Sequence, residues 1–92
     1  MRDKVVLITG GARGLGAGLA ARVISNGGKV YLIDVSGDAV SSQVSALGES
    51  NAAGCSADVT DWASLEEAFQ NCHKQWGRID AVVANAGILR LG

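Results

Sequence analysis

Proline is absent from this sequence, so no fixed-φ kink interrupts a helix or a strand. Repeats, low-complexity tracts and linkers are absent too, and the 92 residues read as one domain, 1–92. Histidine occurs once, as His73 beside Lys74 on the solvent side of a helical pattern. No carboxylate, cysteine or second histidine stands at ligand spacing from it, which argues against a metal centre and against a histidine base. Cysteine occurs twice, as Cys55 in a strand pattern and Cys72 in a helix pattern. Such a pair reads as buried free thiols of a cytoplasmic protein rather than a disulfide or a metal site. No apolar run approaches the roughly 20 residues that cross a bilayer, so no membrane partner is expected. Met1-Arg2-Asp3-Lys4 leads straight into a strand pattern, so no secretory signal is expected either. A net charge of −1 without a basic cluster leaves phosphate-rich nucleic acid unmatched.

Glycine, by contrast, is abundant, with 13 residues, and 48% of the chain is hydrophobic. The run Lys4-Val5-Val6-Leu7-Ile8-Thr9 predicts a fully buried strand of a parallel sheet. A helix pattern follows from Leu15 to Ile24, with Leu15, Leu19, Val23 and Ile24 on one face. Between them stands Thr9-Gly10-Gly11-Ala12-Arg13-Gly14-Leu15-Gly16. A glycine-rich turn from a strand into a helix N-terminus offers backbone N–H groups and the positive end of a helix dipole, which suit a phosphate. Ala12 breaks the commonest dinucleotide spacing, G-x-G-x-x-G. Ala17 and Gly18 stand where a nucleotide triphosphatase needs Lys and Ser/Thr, so that chemistry is disfavoured.

Gly27-Gly28 closes the first helix, and Lys29-Val30-Tyr31-Leu32-Ile33-Asp34 predicts a second buried strand ending in a carboxylate. Asp34 comes eighteen positions after Gly16. An acidic residue about 20 residues along a βαβ unit accepts hydrogen bonds from the adenosine ribose of NAD and repels the 2′-phosphate of NADP. Arg13 is the opposing consideration, because a turn arginine can hold that phosphate. Asp34 sits at the deciding place, so NAD is favoured, NADP is the lesser expectation, and Arg13 is read as a pyrophosphate-side or surface charge. A second helix carries Val40, Val44 and Leu47 on one face; 52–57 predicts a third strand, followed by Asp58-Val59. A third helix carries Leu65, Ala68, Phe69, Cys72 and Trp76, with Trp62 joining at its start and Gly77 ending it. Thr60 and Asp61 are better placed than Asp58 to cap that helix. Ile79-Asp80-Ala81-Val82-Val83-Ala84 predicts a fourth strand, running into Asn85-Ala86-Gly87.

The turn at Gly10, Gly14 and Gly16 resembles the T-G-x-x-x-G-x-G turn of the short-chain dehydrogenase/reductase family. Asn85-Ala86-Gly87 is similar to that family's N-N-A-G motif, with Ala84 in place of the first asparagine. The order and separation of all the motifs, from about Lys4 to Ile88, match the family's N-terminal half. The resemblance implies an α/β, Rossmann-type doubly wound parallel sheet, truncated to about four strands in the order 3-2-1-4 with flanking helices. It implies that Asp58 lies near the adenine amino group, that Val59 packs near the ring, and that Asn85, Ala86 and Gly87 lie along the cofactor. The candidate cofactor site is therefore Gly10, Arg13, Gly14, Leu15, Gly16, Asp34, Val35, Asp58, Val59, Asn85, Ala86 and Gly87.

The family's chemistry uses Ser, Tyr and Lys, the last two as Tyr-x-x-x-Lys, to move a proton while hydride passes between a nicotinamide and an alcohol or ketone. Here the one tyrosine, Tyr31, lies inside a strand pattern and is followed four positions later by Val35. No residue is assigned the catalytic role, and the 92 residues alone are not expected to turn over substrate. The expectation is the cofactor-binding half of an oxidoreductase whose substrate pocket lies elsewhere. The alternatives are a non-catalytic module that senses the dinucleotide, or an inert shortened chain that self-associates through the open edge of its fourth strand.

Overall fold

The structure, a computed structural model, describes residues 2–84. Strands and helices alternate along them: β1 (Val5–Thr9), α1 (Gly14–Ser25), β2 (Lys29–Asp34), α2 (Gly37–Leu47), β3 (Ala52–Ser56), α3 (Trp62–Trp76) and β4 (Ala81–Ala84). The strands are all parallel, in the order β3-β2-β1-β4. Parallel neighbours need a crossover, and the right-handed crossover puts helices on opposite faces when the strand order reverses. That reversal falls between β1 and β4.

Side-chain alternation shows both faces in use. Val6 and Ile8 of β1 and Val30 and Leu32 of β2 pack against Ala20 and Val23 of α1 and Val40 of α2. Val5, Leu7, Tyr31 and Ile33 point the other way, onto Ala68 and Cys72 of α3. Every residue of β1 is buried, as the unbroken apolar run predicts. Leu7, Ile8, Leu32 and Ile33 are each fully buried, contributing about 1.5–3 kcal/mol apiece. The β1–β2 pair is thus the centre of the domain.

Two large side chains depart from the helical patterns. Trp62 is 73% exposed and Leu15 is 83% exposed, although both continue an apolar stripe. Each sits in the first turn of a crossover helix, which overhangs the carboxyl end of the sheet and has no strand beneath it. Cys55, expected to be buried, is only half-buried because β3 is an edge strand. Elsewhere the local signals act as expected. The Asp61 carboxylate accepts the Ala63 N–H at 3.2 Å and caps α3, and Gly77 ends that helix in the left-handed region at φ 80°. At the same end, the Trp76 indole Nε1–H donates to the Val30 carbonyl at 3.0 Å, tying α3 to β2.

The first contact between β4 and β1 is polar. The Asp80 carboxylate accepts the Val5 N–H at 2.8 Å and pairs with Arg78 at 2.6 Å, while the Asp80 N–H donates to the Val5 carbonyl at 2.9 Å. Arg78, and then the Val5 N–H, hold the Asp80 carboxyl below the usual carboxylate range. A depressed folded pKa stabilises fully above the unfolded value of about 4 and loses that contribution as pH falls through the folded value. Asp80→Ala should therefore lower Tm at neutral pH, and the gap to the unmodified chain should close below about pH 4. Thermal melts across that range check this; a gap independent of pH would contradict the role given to the carboxylate.

Candidate functional site

The carboxyl ends of β1, β2 and β3 lie side by side next to the point where the sheet order reverses, and open α/β sheets hold ligands at this end of their strands. The β1–α1 turn supplies one side. Gly10 and Gly14 lie in the left-handed region, with φ 63° and 55°. The Gly11 N–H donates to the Ile33 carbonyl at 3.3 Å, which fastens the turn to β2. Gly16 is buried against the turn, and a Cβ there would run into the Gly10 carbonyl oxygen. Its first contribution is thus to let α1 start directly on the turn. Gly11 is as constrained, since a Cβ would stand 2.9 Å from both the Ile8 carbonyl oxygen and a Leu32 methyl. The motif spacing alone did not single it out.

The three helices begin differently. Ser36 caps α2 by accepting the Ala39 N–H, and Asp61 caps α3. At α1 the N-cap is Arg13, in extended geometry, with no side-chain cap and no acidic residue in the first turn. No side chain therefore caps the N-terminal N–H groups of α1, and the positive dipole end adjoins Arg13.

The β2 and β3 ends supply the other side. A cleft of about 320 Å³ is lined by Gly10, Arg13, Ile33, Asp34, Val35, Ala57 and Val59. Asp34 has a largely buried side chain, 10% exposed, and its Oδ1 accepts the Ser36 N–H at 3.3 Å. The Arg13 guanidinium, mostly exposed, reaches the same Oδ1 at 3.7 Å. Arg13 is thus a surface charge directed at Asp34, and a pair this open contributes little to stability, about 0–1 kcal/mol. Val35 is 72% exposed on the rim, and Val59 is half-buried in the wall.

Asp58 is adjacent to this cleft but does not line it. Its Oδ1 accepts both the hydroxyl of Thr60 at 2.6 Å and the Thr60 N–H at 2.9 Å, which hold the carboxyl below its usual range. Its own N–H donates to the Ser64 hydroxyl. Gly14 and Leu15 stand at the exposed start of α1. Asn85, Ala86 and Gly87 lie outside the described residues. Ile33 and Ala57 are site residues that the motifs did not indicate; strand alternation could have found Ile33, which shares no face with Leu32. Among the described residues no group of three or more metal-ligating side chains occurs, and no helix is long and apolar enough to cross a membrane.

A larger cavity, about 500 Å³, borders the outer edge of β3 between Val40, Val44, Glu49, Gly54 and Gln75. It lies away from the strand carboxyl ends and holds no helix N-terminus. Chemistry favours the smaller cleft, where apolar walls suited to a flat ring meet a carboxylate beside an uncapped helix. Those features fit the adenosine and phosphate parts of a dinucleotide.

A doubly wound sheet with that crevice defines a dinucleotide-binding architecture, and comparison with known proteins gives the family. The chain belongs to the short-chain dehydrogenase family, whose model matches residues 4–92. This family binds nicotinamide cofactors. Among similar proteins, cyclohexanol dehydrogenase of Rhodococcus sp. (strain TK6) is 36% identical, over 95% of this chain and 37% of its own length. Levodione reductase of Leifsonia aquatica is 39% identical, over 94% of this chain and 34% of its own. Among solved structures, 3-ketoacyl-(acyl-carrier-protein) reductase from Brucella melitensis complexed with NADH superposes with a TM-score of 0.85 at 28% identity, covering 88% of this chain and 33% of that one. The chain spans about a third of the length of the curated relatives it matches.

Gly14 and Gly16 should respond differently to alanine. A Cβ at Gly14 meets open space, so Gly14→Ala should cost only the left-handed backbone strain, about 1–2 kcal/mol. Gly16→Ala forces α1 off the turn and should cost more, up to about 3 kcal/mol. Urea denaturation of the two variants checks the order; an equal or reversed cost would contradict the packing role of Gly16.

Proposed function

We propose that residues 1–92 form the NAD-binding domain of a short-chain dehydrogenase/reductase, acting on an alcohol or ketone in the complete protein. The observation that carries this reading is the juxtaposition, in one cleft, of the uncapped start of α1 with the Asp34 carboxylate. Gly10, Arg13, Gly14, Leu15 and Gly16 would hold the pyrophosphate through backbone N–H groups and the helix dipole. Asp34 and Val35 would take the adenosine ribose, and Val59 would flank the adenine with Asp58 at its outer side. Asn85, Ala86 and Gly87 would continue along the cofactor toward the nicotinamide, which supplies or accepts the hydride. Relatives named as a cyclohexanol dehydrogenase and a levodione reductase support an alcohol or ketone substrate class.

No residue of the 92 is given the proton-transfer role. Tyr31 is 5% exposed and faces α3, and burial together with a hydrogen bond to Cys55 pushes its hydroxyl well above the ordinary phenol value. A group so held does not exchange protons with a substrate near neutral pH.

NAD is preferred over NADP because the Asp34 carboxylate is already held in place by Ser36 N–H and stands where a 2′-phosphate would come. Arg13 weakens that discrimination by offsetting part of the Asp34 charge. Asp34→Ala should weaken NADH binding by roughly 10- to 150-fold, the value of about 1.5–3 kcal/mol for hydrogen bonds to a charged acceptor. The same change should narrow the gap to NADPH, because Arg13 is then free to meet the 2′-phosphate. Calorimetric titration of both cofactors checks this; an unchanged NADH-to-NADPH ratio would remove Asp34 from the ribose site.

A further inference from the structure

Cys55 lies in β3 and Cys72 in α3, on the same side of the sheet and within one apolar cluster with Tyr31 and Ala68. Both thiols are free, and neither takes part in the dinucleotide site. Their environments differ. Cys72 is completely buried, whereas Cys55 is half-buried and opens onto a cavity of about 140 Å³ between Ser56, Ser64, Glu67 and Asn71. Cys55 packs against the buried cluster that contains Cys72 and Tyr31. We propose that Cys55 and Cys72 are an oxidisable pair, in which a peroxide entering beside Cys55 converts the two thiols into a disulfide joining β3 to α3.

The chemistry takes two steps. The Cys55 sulfur attacks hydrogen peroxide; an S–O bond forms, the O–O bond breaks, and the departing hydroxide leaves as water with the thiol proton. The Cys72 sulfur then attacks the Cys55 sulfenic acid; an S–S bond forms, the S–O bond breaks, and a second water leaves with the Cys72 proton. Two electrons pass from the thiols to the peroxide, so no other reductant or oxidant is needed. Cys72 is fully buried while Cys55 borders the cavity, so peroxide reaches Cys55 first; burial also pushes the Cys72 thiol up to about 11, and it reacts only in the second step, as its proton passes to the departing hydroxide. The staple would close the connection that carries Asp58 and Val59, restraining one side of the crevice. None of this depends on the dinucleotide reading.

The test is hydrogen peroxide treatment of the full chain, followed by thiol titration, peptide mapping and a thermal melt. Both free thiols should be lost together, the map should join Cys55 to Cys72 within one molecule, and Tm should rise by at least about 5 °C. Cys72→Ala should stall at a Cys55 sulfenic acid that dimedone traps, while Cys55→Ser should give no trapped product at Cys72. Should Cys72→Ala not fold, brief dimedone trapping in the unmodified chain should label Cys55 alone. Thiols that stay titratable, a link between molecules, or first labelling at Cys72 would each overturn the proposal.

Discussion

Thr9 ends a strand buried on both faces, and by Gly14 the chain must already be running back as a helix over that strand. This reversal, made without bulk, is the constraint on which the rest depends. It is met by left-handed backbone at Gly10 and Gly14 and by a helix that rests on the turn where Gly16 has no Cβ. Arg13, the residue in front of α1, supplies no capping side chain, although the shorter β2–α2 connection is capped by Ser36. The N-terminal N–H groups of α1 are thus left without a side-chain cap, beside the candidate cleft that Gly10 and Arg13 line.

The remaining parts keep that crevice in register. The β1–β2 pairing sets Thr9 beside Ile33, which brings the turn to the end of β2 and Asp34 to its rim. Trp76 fixes the far end of α3 by its bond to Val30, and the Lys29 ammonium stacks over its ring at 5.0 Å. Asp80 sets β4 against the start of β1. These ties lie at the amino ends of the strands, opposite the cleft, while the Gly11 N–H on the Ile33 carbonyl fastens the cleft end.

Much of this was legible in the sequence. Unbroken apolar runs identify β1 and β2 because both faces of a central parallel strand are buried; the run Lys29–Asp34 coincides with the strand itself. Glycine spacing located the turn, and the carboxylate after the second run located Asp34. Periodicity was less informative at the helix starts. Trp62 and Leu15 continue their stripes in sequence but overhang the sheet in space, and a stripe does not reveal where its supporting strand stops. Pairings between distant residues were also hidden. Nothing local joins Arg13 to Asp34, and Asp80 looks like an interruption in an apolar run until the Val5 N–H is found opposite it. Similarly, Asp58 announces a carboxylate, but only the geometry shows one oxygen already engaged by Thr60.

On the reading proposed above, the β1–α1 turn and the β2 end form one dinucleotide-binding cleft. The most direct test of that reading is to follow the backbone amide resonances of the full chain while NADH is added. Saturable shifts are expected at Gly10 to Gly16, at Asp34 and Val35, and at Asp58 and Val59, with residues along the outer edge of β3 unmoved. Shifts confined to the larger cavity by Val44 and Gln75, or none in a folded chain, would contradict it.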